Sequence, residues 1–146
     1  MIDHRRHTVF QKILVAYDGS THSDKAVEAA LSLARYLDSQ VLIFSVAQPP
    51  EPAQRAELQG VLDDAKERFE EAFKRIVEAA KAEDIDIETE IAVGHPAEQI
   101  IHKAETSKAD LVILGRRGRS TFQKWILGSI SEKVLRYAHC PVMVVH

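Results

Sequence analysis

The chain has 146 residues, of which 45% are hydrophobic and 28% charged, enough for one domain with its own core and too apolar for general disorder. Its formal net charge of −3 argues against nucleic acid or an anionic membrane as the main partner, since both select a basic footprint, but not against a small anion held by local donors. The single cysteine, Cys140, excludes an intrachain disulfide and fits a reducing, cytoplasmic compartment, while the opening MIDHRRHTVF lacks the apolar stretch of a secretion signal and no run reaches membrane-spanning length.

In chain order, residues 1–10 read as a flexible N-terminal tail and 11–146 as the domain. KILVAY, Lys12 to Tyr17, is the first predicted strand. DGSTHSD then offers capping side chains to a helix whose apolar stripe is Ala26, Ala29, Ala30, Leu33, Ala34 and Leu37. QVLIFSV, Gln40 to Val46, is the second strand, and QPPEP is a surface connection to a longer helix marked by Leu58, Leu62, Ala65, Phe69, Phe73, Ile76 and Ala80. IDIETEIAV, Ile85 to Val93, alternates apolar and acidic residues, as a half-exposed edge strand does. A third helix opens at HPAEQIIHKAE, with Pro96 suited to its first turn. DLVILG, Asp110 to Gly115, is the fourth strand; SISEKVLRYA after Gly128 is the last helix, and PVMVV, Pro141 to Val145, the last strand. The first, second, fourth and fifth strands are nearly continuous in aliphatic residues, a pattern that predicts burial on both faces. Strands alternating with helices imply a single-domain, open five-stranded parallel sheet with helices on both faces, a Rossmann-like α/β architecture.

Ligands of such sheets bind beyond the carboxyl ends of the strands where the strand order reverses. The first strand ends in Tyr17-Asp18-Gly19-Ser20 and the fourth in Gly115-Arg116-Arg117-Gly118. A strand order of 3-2-1-4-5 brings both endings into one crevice; a flavodoxin-like 2-1-3-4-5 order separates them, so the motif positions favour the former. Three of the chain's six glycines, Gly115, Gly118 and Gly128, fall in the pattern G-x2-G-x9-G-S completed by Ser129. Glycines there allow backbone to wrap an anion, and the start of the last helix presents free N–H groups to phosphate. Asp18 suits ribose hydroxyls or a bound Mg²⁺. Together these features point to a nucleotide site.

The segments KILVAYDGS and GHPAEQI, the glycine spacing and the closing CPVMVV together resemble the universal stress protein family, in its ATP-binding branch, from Lys12 to Val145. The chain has neither a G-x-G-x-x-G fingerprint nor a P-loop. The resemblance implies that Asp18 contacts ribose, that backbone at Ala16, Tyr17 and Val46 surrounds the base, and that Gly115, after Leu114, lies by the ribose. It further implies that Gly118, Gly128, Ser129, Ile130 and Ser131 cradle the phosphates, with Arg119 an additional phosphate contact. It implies a homodimer through the C-terminal strand, and a stress-response regulator of an unidentified client protein.

Between Gly115 and Ser131 there is no Asp or Glu to orient an attacking water, and Gln123 is the only amide, so the residues favour binding over turnover, with at most slow ATP hydrolysis. Ser129 and Ser131 together offer more donors than one phosphate needs, which favours ATP over AMP or cyclic AMP. The competing reading is a nucleotide-independent interaction module whose long helix or last strand docks a partner. His4 and His7 read as a solvated tail, His139 with Cys140 falls short of a zinc site, and His102 and Trp125 read as structural. His22, close to Asp18 in sequence, reads either as a nucleotide contact or as part of a polar helix start, and His95 sits in the GHP turn, which the resemblance places near the nucleotide.

Overall fold

Strands and helices alternate through the chain in the computed structural model, which describes residues 9–51, 55–117 and 127–146. In order they are β1 (Lys12–Ala16), α1 (Thr21–Leu37), β2 (Gln40–Ala47), α2 (Arg55–Ala82), β3 (Ile87–Val93), α3 (Pro96–Thr106), β4 (Leu111–Gly115), α4 (Ser129–Tyr137) and β5 (Val142–Val145). The strands form one five-stranded parallel sheet in the order β3-β2-β1-β4-β5, the order that the motif positions favoured.

This order also fixes where the helices go. The right-handed crossovers from β1 to β2 to β3 run toward one edge and place α1 and α2 on one face. The step from β3 to β4 reverses direction, so α3 and α4 cover the other. Two cores result. Ile13, Val15, Val41, Ile43, Leu111 and Ile113 pack with the small residues Ala26, Ala30 and Ala34 of α1 and with Ala65, Phe69 and Ile76 of α2. Leu14, Phe44, Val112 and Leu114 pack with Ala97, Ile100 and Ala104 of α3 and Val134 of α4. The alternation along each strand that feeds both cores is why these strands lack a polar face.

Local chemistry sets the boundaries. Ser20 caps α1, its hydroxyl accepting the Ser23 N–H at 3.2 Å, and Asp38 ends the helix in the left-handed region. Pro96 occupies the first turn of α3. The carboxylate of Asp110, just before β4, accepts the N–H groups of Gln11 (2.8 Å) and Lys12 (2.9 Å), tying the start of β1 to its neighbour.

Some boundaries differ from the sequence reading. β1 ends at Ala16, though Tyr17 still donates its N–H to the Phe44 carbonyl at 2.9 Å. β3 begins at Ile87, because Ile85 is engaged in closing α2 through its N–H to the Ala80 carbonyl. β3 is an edge strand as expected, with Glu88, Thr89 and Glu90 exposed. β5 corrects the expectation of burial on both faces: it is the opposite edge, and all four of its residues are only half-buried in the single chain. Phe10, assigned to the tail from sequence, packs against the first core.

Phe69 joins α2 to the sheet, with ring centroids 6.0 Å from Tyr17 and 5.6 Å from Phe73. Phe69→Ala should cost about 3–5 kcal/mol in denaturant unfolding, the range for emptying a buried aromatic site.

Candidate functional site

Registered pairing between β1 and β4 runs from Ile13↔Leu111 to Val15↔Ile113 and stops, whereas β1 stays paired with β2 through Ala16↔Phe44 and β4 with β5 through Gly115↔Val145. The sheet therefore parts at the carboxyl end of its two central strands. The cleft that opens there spans about 530 Å³ with its open mouth included, and it faces solvent. Its apolar lining includes Ala16, Phe44, Val46, Pro96, Ile100, Leu114 and Ile130, drawn from β1, β2, β4, α3 and α4. Its polar residues include Asp18, Ser23, Arg117 and Ser131.

The exit from β1 is held at several points. The Tyr17 side chain is buried on the α1/α2 face, where its hydroxyl donates to Asp24 Oδ1 at 3.2 Å and its ring meets Phe69 and Phe73. Burial, then the Asp24 carboxylate, raises the phenol above its ordinary pKa, so it remains a proton donor. The Tyr17 carbonyl accepts from Ser45 Oγ at 2.6 Å. Next along the chain, Asp18 Oδ1 accepts the Ser20 N–H at 2.9 Å across Gly19, whose φ of 84° belongs to the left-handed region.

The exit from β4 leads to the start of α4. Gly128, the N-cap, provides no side-chain cap, so the N–H groups of Ser129, Ile130 and Ser131 are the unpaired first-turn donors of that helix as far as its own backbone is concerned. The Gly128 N–H returns to the Arg116 carbonyl at 2.9 Å, and Ser131 Oγ donates to the Gly115 carbonyl at 2.8 Å. The helix start is thereby locked against the strand end.

Residues 10–146 match the model of the universal stress protein family. The chain belongs to that family. It is 35% identical over 140 residues to a universal stress protein of Methanocaldococcus jannaschii, covering 94% of this chain and 82% of the relative. Among solved structures, the universal stress protein UspA from Lactobacillus plantarum shares the fold with a TM-score of 0.85 at 23% identity, covering 94% of this chain and 98% of that one. A universal stress protein in complex with cAMP superposes with a TM-score of 0.74 at 29% identity, covering 94% of this chain and 98% of that one.

Of the residues that the family resemblance singled out, Ala16, Tyr17, Asp18, Val46, Leu114, Gly115, Ile130 and Ser131 all line the cleft. Gly128 and Ser129 immediately precede that group at the helix start but are not among the lining residues. Gly118 and Arg119 lie outside the described residues, as do Gln123 and Trp125. Phe44, Pro96 and Ile100 were missed as site residues because their sequence signals are those of a buried strand and a helix start.

The glycines have local reasons. A Cβ on Gly115 would lie 2.6 Å from His22 Cβ and 2.7 Å from the His22 carbonyl carbon, so this glycine makes room for α1. Gly128 has an ordinary φ of −60°, and a Cβ there would come within 3.2 Å of the Arg116 carbonyl oxygen. Ser131, 4% exposed, directs its hydroxyl proton inward to Gly115, so its contribution to a ligand is its N–H; the donor count that favoured ATP over a single phosphate loses one member. His22 has a role after all: its Nδ1 accepts the Arg117 N–H at 3.2 Å, joining α1 to the β4 exit. His95 instead precedes α3 with its Nε2 3.7 Å from Glu51 Oε1, and is not a lining residue. Cys140 is half-buried, and burial followed by the nearby Asp110 charge pushes its thiol pKa up, away from reactivity.

Gly115→Ala should force α1 and β4 apart, lowering stability by about 1–3 kcal/mol as overpacked sites do. Thermal and denaturant unfolding of the variant against the parent chain measures this.

Proposed function

We propose that the cleft binds an adenine nucleotide, ATP in the first instance, and that the protein is a nucleotide-binding regulator of the stress response. The observation that carries this reading is a single juxtaposition: an apolar slot, the carboxylate-bearing Asp18 and the uncapped start of α4 adjoin one another at the point where the sheet parts. Ala16, Val46, Ile100 and Leu114 offer a flat base the dry surface it prefers. Asp18 accepts hydrogen bonds from ribose hydroxyls. The first-turn N–H groups of α4 and the helix dipole favour phosphate, the dipole contributing about 0.3–1 kcal/mol when exposed. The relative solved with cAMP supports the adenine nucleotide class, and gives cyclic AMP a place as the second reading.

Among the described residues no cluster of three His, Cys, Asp or Glu side chains could hold a metal. A Mg²⁺ ion would thus arrive with the phosphates, with Asp18 the lining carboxylate able to approach it. Binding rather than hydrolysis is the reading we favour, since Arg117 can neutralise phosphate charge but cannot serve as a base.

We also read the chain as a homodimer that covers β5. Val142–Val145 is an edge of the parallel sheet among the described residues, half-buried in one chain, and offers a strand edge and apolar side chains that a second copy would bury.

Calorimetric titration with ATP, AMP, cyclic AMP and GTP tests the first proposal: ATP should bind more tightly than GTP, and Asp18→Asn should weaken ATP binding by about tenfold, the loss of one charge-assisted hydrogen bond. Absence of binding by all three adenine nucleotides would overturn it and favour a nucleotide-independent interaction module. For the second, light scattering should give a mass twice the 16.4 kDa of one chain; a monomer at micromolar concentration contradicts it.

A further inference from the structure

Ser45 has no role in the sequence reading, yet it is one of the most deeply buried polar residues of the chain, 1% exposed at the carboxyl end of β2. A buried hydroxyl must find a partner, and the one it has is specific: Oγ donates to the carbonyl oxygen of Tyr17 at 2.6 Å. That carbonyl belongs to the peptide linking Tyr17 to Asp18. The same tyrosine donates its N–H to Phe44 at 2.9 Å, and its ring is fixed by Asp24, Phe69 and Phe73. With residue 17 anchored on these sides, the hydroxyl of Ser45 determines how the next peptide plane is turned. Asp18 leaves that plane into the cleft, and the Asx turn to Ser20 holds it from the far side.

We propose that Ser45 is a positioning residue for the nucleotide cleft, fixing the Tyr17–Asp18 peptide so that the Asp18 carboxylate faces the ribose hydroxyls. The proposal rests on the nucleotide reading above and adds a residue that touches no ligand. It also ties two walls of the cleft together, because Val46, the next residue of β2, lines the slot that receives the base. Preorganisation of this kind raises affinity by sparing the ligand the work of ordering its own acceptor.

The test is a double-mutant cycle on Ser45→Ala and Asp18→Asn, read with ATP and with 2′,3′-dideoxy-ATP, which lacks the ribose hydroxyls. The parent chain should prefer ATP. Ser45→Ala should weaken ATP binding by about tenfold while leaving dideoxy-ATP nearly unchanged. In the Asp18→Asn background the same substitution should have little further effect. Ser45→Thr, which keeps the hydroxyl, should restore the preference for ATP. Equal losses for both nucleotides, or an undiminished effect of Ser45→Ala in the Asp18→Asn background, overturn the proposal and leave Ser45 a purely structural residue. Should the parent chain bind ATP while Ser45→Ala binds it equally well, the proposal fails and the nucleotide reading stands. A parent chain that binds neither nucleotide overturns both.

Discussion

The structure depends on the pairing of β1 with β4. β1 is the first strand of the chain and the middle strand of the sheet, so the polypeptide builds outward to β3, then returns across the sheet to start again beside β1. That return reverses the direction of travel and sends α3 and α4 to the opposite face from α1 and α2. It also means that the loops after β1 and β4 leave toward opposite faces. The strands must part there, and they do so beyond Val15↔Ile113. The cleft is a consequence of topology before any side chain is considered.

Side chains then make the opening definite. At one rim, Ser45 holds the Tyr17 carbonyl; at the other, Ser131 holds the Gly115 carbonyl. Each bond is made by a buried hydroxyl to a backbone oxygen at a strand exit, where leaving that oxygen unpartnered would cost about 1–3 kcal/mol. His22 adds a connection from α1 to Arg117, and Gly115 lets α1 sit close enough for it. The walls of the cleft are thus part of the folded core rather than of its surface.

Much of this was legible in the residues. Aliphatic runs such as DLVILG announce buried parallel strands, and the placement of Asp18 and the glycine motif was enough to choose the strand order. Features that depend on who meets whom in space were not. The order 3-2-1-4-5 already put PVMVV at an edge, but its composition, as aliphatic as a central strand's, does not reveal that all four residues of β5 are only half-buried in the single chain. Gly115 read as a residue beside a ligand; that it also makes room for His22 of helix α1 is a packing demand that no local pattern encodes. Phe44 and Ile100 are hydrophobic in core positions, so nothing marks them as lining a cleft until the sheet parts beside them. Ser45 is a small polar residue inside an aliphatic strand; that interruption of QVLIFSV was the available signal for a buried hydrogen bond at this point.

The central claim is that a nucleotide sits where β1 and β4 part, against the start of α4. Hydrogen–deuterium exchange of the full chain with and without ATP tests it most directly, since the amide groups proposed as donors are themselves the reporters. The account predicts slowed exchange on ATP addition at Ser129, Ile130 and Ser131, together with Asp18 at the β1 exit. Unchanged exchange at both places under saturating ATP, or protection confined to another part of the fold, would contradict it.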